Sequence, residues 1–293
     1  MVNNNFKSLD MKTLFNKSIL TAIVALNLVV VSNHAKAQSN ILDGVYVKEH
    51  TIERRVIPYT YLREADVMWS KRIWRMIDLR EKLNHDMYFP IDVIAGRRSL
   101  MQVIWDGVTK DGSITAYSDE NDGDFTTQLS KTDLDNKYNT WDTSNIEDPG
   151  TGEMKEVVTQ RQFIPSEVKQ FRIKEDWFFD RQRSVMDVRI IGIAPVRFYQ
   201  KNGEERTETM FWIYYPEARF AFVSAEVYNK GNDAERRTYE DIFWKRRFSS
   251  YIYKETNVYN RRINTYKSGL DALLEAEKIK EDIFNMEHDL WEY

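Results

Sequence analysis

The run VRFYQKNGEERTETMFWIYY, residues 196–215, places Asn202-Gly203 between two stretches that alternate in polarity. Asn-Gly is the strongest short signal for a tight hairpin, because both residues tolerate the positive φ of a type I′ turn. Beyond the turn, Thr207, Thr209, Phe211, Ile213 and Tyr215 recur at a period of two. Ahead of it, residues 185–199 are rich in Val, Ile and Arg, the composition of extended chain. The spacing predicts an antiparallel ribbon.

Helical patterns surround it. Over 62–83, Leu62, Ala65, Trp69, Ile73, Met76 and Leu83 share one face of a 3.6-residue period, and Val67 and Trp74 fall opposite. A second helix is predicted from Ser99, carrying Leu100, Val103 and Ile104 and stopping at Asp106-Gly107. A third starts near Ser166 in SEVKQFRIKEDWFFDRQ, a fourth covers 238–253, and a long C-terminal helix opens at Ser268-Gly269-Leu270-Asp271 and runs toward Trp291. Helices flanking a small antiparallel sheet make the fold class α+β. Between 111 and 152 the chain is polar, with DENDGD at 119–124 and DPGTG at 148–152, which reads as a long loop or linker.

Lys7, Lys12 and Lys17 precede an apolar run at 19–31, and Ala35-Lys36-Ala37 stands just before Gln38. That order is a signal peptide with cleavage between Ala37 and Gln38; thirteen apolar residues fall short of the ~20 that span a bilayer. The expected organisation is a signal peptide at 1–37, an N-terminal helical region at 38–112, a polar loop or linker at 113–155, and a C-terminal α+β region at 156–293. Cleavage removes four lysines and one aspartate, so the formal charge moves from -4 to -7 (-4 minus 4 plus 1), which argues against a general affinity for nucleic acid. The chain has no cysteine. Disulfides, thiolate metal sites and a lipidated cysteine are therefore excluded, so attachment to a membrane requires a partner. The expected address is the periplasm.

Residues 239–257, YEDIFWKRRFSSYIYKETN, raise a question of their own. Wound as a helix, Tyr239, Ile242, Phe243 and Tyr253 point one way and Trp244, Phe248, Tyr251 and Ile252 nearly the opposite way, with Glu240, Lys245, Arg246 and Arg247 in the seams. The C-terminal helix repeats this, with Leu270, Leu273, Leu274, Phe284 and Trp291 on one side and Ile279, Ile283, Met286 and Leu290 on the other. Two apolar faces mean a central place in the core or contact with another chain. For one helix alone central burial is the commoner cause. Two such helices near the chain end, with Val67 and Trp74 also facing outward, favour contact, and the aromatic and arginine composition suits an interface. Val67, Trp74, Trp244, Arg246, Arg247, Phe248 and Tyr251 are the expected interface residues.

A faint echo links 64–72, 175–181 and 240–246, each with acid first, aromatics in the middle and base last. Helix macrodipoles would account for it.

Signals for catalysis are weak. His50, His85 and His288 lack an i+4 histidine, so no helical zinc motif is present. Ser166-Glu167-Val168-Lys169 matches S-x-x-K without its companion motifs. The acids at 119–124 fail the EF-hand spacing, since Gly123 comes one place early and Ser130 occupies the bidentate glutamate position. No cofactor is implied. Eight tryptophans and abundant acids leave a second reading, a periplasmic glycan-binding or glycan-cleaving protein with exposed tryptophans and carboxyls ~5 to 9.5 Å apart.

Phe211-Trp212-Ile213-Tyr214-Tyr215-Pro216-Glu217, Glu226-Val227-Tyr228-Asn229, Asn232-Asp233-Ala234, residues 239–257 and Asn260-Arg261-Arg262-Ile263 resemble the GldN/PorN family of the Bacteroidetes gliding-motility and type IX secretion machinery. The likeness covers the mature chain, most strongly 205–293 and 46–106; the segment ahead of Met11 departs from it. The resemblance implies no catalytic residue. It implies a periplasmic structural subunit that forms a large ring with copies of itself and with an outer-membrane lipoprotein of the GldK/PorK type, near the GldL/GldM motor complex. Required for secretion and gliding, such a subunit would be associated peripherally with the outer membrane.

Overall fold

The computed structural model describes residues 54–147, 154–161, 163–201, 204–232 and 234–289, all within one compact unit, Glu49–Tyr293. Ala37, Gln38 and the rest of the signal segment, the DPGTG run, Asn202-Gly203 and Trp291 lie outside the described residues.

Three long strands, β1 (Val67–Asp78), β6 (Val168–Asp180) and β7 (Val185–Lys201), pair antiparallel at the heart of an eight-stranded sheet. Its order is β12 (Tyr251–Glu255), β1, β6, β7, β9 (Trp212–Tyr214), β2 (Ala116–Tyr117) and β3 (Gln128–Leu129), with β8 (Glu204–Thr209) also on β7. The hairpin expected around Asn202-Gly203 is the β7–β8 pair, in register from Lys201↔Glu204 to Val196↔Thr209. Two short hairpins stand apart, β4 (Thr140–Glu147) with β5 (Met154–Arg161), and β10 (Glu226–Val227) with β11 (Arg237–Thr238). The helices are α1 (His85–Tyr88), α2 (Leu100–Thr109), α3 (Lys131–Tyr138), α4 (Tyr215–Ser224), α5 (Tyr239–Trp244) and α6 (Leu270–Asp289). The class is α+β with a long C-terminal helix, and the sheet is larger than the small one expected.

Two expected helices are strands. Residues 62–83 hold β1 and residues 166–182 hold β6. Ile73 and Ile77 face one side of the sheet and Trp74 and Met76 the other, and all four are buried. With both faces covered, the alternation of an ordinary strand fills in, and apolar residues three and four apart imitate a helix.

The expected helix at 238–253 is broken. A capping box between Thr238 and Asp241 starts α5, but the helix ends after six residues, Arg246 takes a left-handed φ of 50°, and the chain re-emerges as β12. Asn84 holds the break: its Oδ1 accepts from the Ser249 amide and its Nδ2 donates to the Ser249 carbonyl. The helix from Ser99 is present, with a Ser99–Gln102 capping box. It continues past Gly107, where a Cβ would sit 2.7 Å from Ile114 Cδ1, so this glycine serves close packing rather than termination. The polar stretch read as a loop or linker carries β2, β3, α3 and β4.

The helical face of the sheet bears two cores. The larger joins Phe171, Ile173, Ile193 and Ile213 to α2, α4 and α5. In the smaller, α6 lays Ala276, Ile279 and Ile283 on Ile73, Ile252 and Ile263. The opposite face carries Trp74, Met76, Ala194, Val196, Trp212 and Tyr253.

Candidate assembly interface

The sequence-derived interface residues separate into buried and exposed sets. Phe248 belongs to the larger core, with its ring 5.9 Å from Phe243. Trp74 is buried beneath the loop at 119–125, its ring 4.5 Å from Lys254 Nζ and 5.8 Å from Lys174 Nζ. Neither leaves surface for a partner. The two outward faces drawn on a helix at 239–257 do not exist, because residues 251–255 are strand and alternate across the sheet: Ile252 lies under α6 and Tyr253 on the other side.

Arg246 is a clamp. Its NH2 donates to both oxygens of Glu175, at 2.9 and 3.1 Å, and Glu175 is fully buried. Trp177 Nε1 donates to the same carboxylate at 3.1 Å, and the guanidinium lies over the rings of Trp177 and Phe248. Val67 is half-buried at a bulge opening β1; Arg247 and Tyr251 are exposed.

Trp244 is 46% exposed, but its inner side is covered by its own chain. Tyr59 stacks on it, centroids 5.5 Å apart at 22°, and the Arg219 guanidinium lies 4.2 Å from the Tyr59 ring centre. Arg219 donates to Glu240 and to the Ile57 carbonyl, Arg189 donates to the Thr60 carbonyl, and Arg54 pairs with Asp241. Residues 54–60 therefore form a strap over β7, α4 and α5, roofing a cleft of about 430 Å³ lined by Val188, Ile190, Tyr215 and Phe243. Tyr215 donates to the buried Glu240 carboxylate, and burial pushes the phenol well above its usual range. The strap was not anticipated. Its only local sign is Arg219 inside the apolar ARFAFV run, a charge needing a buried partner.

The acids at 119–124 also find their partners within the chain. Asp122 accepts from Lys254 and from Arg262, each at 2.6 Å. Burial pushes its carboxyl up, but these hydrogen bonds outweigh that and hold it below the usual range. Trp212 Nε1 donates to Asp119, and Lys174 Nζ donates to the Gly123 carbonyl. Gly123 has a φ of 83°, and a Cβ there would lie 2.6 Å from Trp212; only glycine combines that backbone with that approach. Among the described residues no group of His, Asp and Glu is arranged to hold a metal.

Among the exposed apolar residues, which also include Tyr61, Phe220, Val258 and Tyr259, four lie on the outer side of one helix, α6. Leu270, Leu273, Leu274 and Phe284 are 71, 55, 59 and 66% exposed, while Ala276, Ile279 and Ile283 on the inner side are buried. The sequence separates Leu270, Leu273, Leu274 and Phe284 from Ile279 and Ile283, and the structure keeps these two sets apart; Met286 is half-buried, and Leu290 and Trp291 lie outside the described residues. Leu270, Leu273 and Leu274 cluster at the start of the helix, and Phe284 stands apart from them across the exposed charges Glu277, Lys278, Lys280 and Glu281; exposed apolar residues grouped on one side of a helix mark a surface of interaction. Among the described residues no helix is long and apolar enough to cross a membrane.

A comparison with curated proteins found no match. A family model described as "Gliding motility associated protein GldN" matches residues 62–292, a span that includes the sheet, the strap-bearing helices α4 and α5, and all of α6. The chain therefore belongs to the GldN family and is a component of the gliding-motility and type IX secretion machinery.

Proposed function

We propose that this protein is a non-enzymatic structural subunit, exported to the periplasm, that builds a ring with copies of itself and with an outer-membrane lipoprotein of the GldK/PorK type beside the GldL/GldM motor complex. The observation that carries this reading is the exposed apolar side of α6, with Tyr251, Arg247 and the outer edge of Trp244 exposed elsewhere on the chain. Membership in a gliding family supports it.

The glycan reading has less support. Of the tryptophans whose side chains are described, only Trp244 is strongly exposed, and its inner face is already stacked on Tyr59. A sugar-binding floor needs several free aromatic faces.

The test is Leu273→Asp with Phe284→Asp in the native host. Loss of lipoprotein co-purification, secretion and gliding, with an unchanged circular dichroism spectrum, is expected. Full retention of all three would overturn the reading.

A further inference from the structure

The exposed stripe of α6 has a two-fold pattern. About a midpoint between Lys278 and Ile279, Leu273 is symmetric with Phe284, and Glu277 with Lys280. All four side chains project from the outer side: Leu273 and Phe284 are exposed, and Glu277 and Lys280 are each more than half exposed, bonded to one another at 2.8 Å. Positions 270, 277 and 284 and positions 273, 280 and 287 follow heptad spacing, which aligns them along one seam of a helix.

We propose that α6 pairs antiparallel with α6 of a second copy, Leu273 of each packing on Phe284 of the other and Glu277 of each facing Lys280 of the other. The inference rests on reading α6 as an assembly surface, and it names the occupant. Charge complementarity selects the orientation. Antiparallel pairing sets opposite charges together in both central layers, whereas in-register parallel pairing sets Glu277 against Glu277 and Lys280 against Lys280. The charged central layers, flanked on each side by a Leu273–Phe284 layer, fix register, and at the outer ends of the seam Glu287 of each copy faces Leu270 of the other.

The helix is ~30 Å long, and one pair of such helices buries less than the roughly 1,200–2,000 Å² of a stable isolated dimer. The contact is accordingly weak between free molecules, and it tightens where copies are already held close together. Because the pairing is isologous, it closes at two. It would join two copies face to face, a different contact from the repeating one that propagates a ring.

The chain lacks cysteine, so single thiols can be placed without background. Leu273→Cys and Phe284→Cys proteins, purified separately, are treated with a short bismaleimide at on the order of 100 μM, a range suited to a weak contact. Covalent dimer is expected when the two are mixed and not from either alone, since in antiparallel pairing like positions lie ~16 Å apart along the seam. Glu277→Lys should weaken self-association in sedimentation about tenfold, and adding Lys280→Glu should restore it, as coupled charges do. Cross-linking of Leu273→Cys with itself, or no self-association of the native protein at that concentration, would overturn the proposal. Lipoprotein co-purification is measured on Glu277→Lys in parallel. If it persists where no homotypic pairing exists, only the pairing is refuted; if it too is absent from the native protein, the assembly reading falls with it.

Discussion

Arg72 on β1 and Asp176 on β6 face each other across the sheet, joined by two parallel hydrogen bonds of 2.6 and 2.7 Å. That pair explains the acid–aromatic–base echo in the sequence. Two strands carrying the same pattern and running antiparallel bring the acid of one opposite the base of the other. The third copy completes the set, since its Arg246 binds Glu175, the neighbour of Asp176. Helix macrodipoles do not account for it, since the first two copies lie mostly in β1 and β6.

Breaking the Arg246–Glu175 contact should be costly, because Glu175 has no access to water and keeps only the Trp177 indole. Arg246→Ala is expected to lose about 2–4 kcal/mol in urea unfolding, the cost of an uncompensated buried charge discounted for the partly exposed arginine. Arg246→Gly relieves the left-handed backbone and should still be destabilised. A glycine variant as stable as the native protein would show that backbone strain, not the ion pair, governs this turn.

Acid should loosen the loop at 119–125. The folded Asp122 carboxyl lies below its unfolded value, near ~3.9, so its contribution is complete above about pH 4 and fades as pH falls through the folded value. Asp78, lowered to about 2 by hydrogen bonds from Arg80, acts in the same direction. Thermal melts should therefore drop steeply between about pH 4 and 2, and Asp122→Asn should lower stability at pH 7 while flattening that dependence. An Asp122→Asn melt that tracks the native protein at every pH would remove the loop from the acid response.

The hairpin, the cap of α2 and the two sides of α6 were legible in the sequence because each depends on residues close in the chain. Strands β7 and β8 pair across a two-residue gap in sequence, Ser99 and Gln102 cap each other three residues apart, and Leu273 and Ile279 diverge by helical geometry alone. Strands β1 and β6 were not legible, since a sheet covered on both faces erases the period of two at Ile73, Trp74, Met76 and Ile77. Trp74 was assigned outward by a helical wheel that does not apply to it. The strap was hidden for another reason: nothing within 54–60 indicates that Tyr59 will meet Trp244 or that Arg219 will bind the Ile57 carbonyl, 162 residues away.

Removing the strap's aromatic anchor should free Trp244. Tyr59→Ala deletes a stacked pair and two cation–π contacts, with Arg189 and Arg219, at a partly exposed site, a loss of about 1–2 kcal/mol. Trp244 emission should shift to the red and quench more readily with iodide, most clearly against a Trp244→Phe control that subtracts the remaining tryptophans. Unchanged quenching would mean that the strap does not shield this residue in solution.

Trp244 and Phe248 stand four residues apart, yet truncating them should have unequal effects. Phe248 lies among Phe243 and the rest of the larger core, so Phe248→Ala should cost ~3–5 kcal/mol. Trp244 keeps nearly half its surface in water, and Trp244→Ala should cost far less while weakening attachment to partner subunits. Chemical denaturation of each single variant, paired with co-purification from envelopes, separates the two effects. Comparable stability losses would place Trp244 in the core after all; an unaffected Phe248→Ala protein would contradict the packing of α5 against the sheet. Against both, Leu273→Asp on α6 should shift the unfolding midpoint far less than Phe248→Ala, because the leucine is 55% exposed and keeps only partial contact with its own chain, beside Tyr251, Ile252 and Ile263.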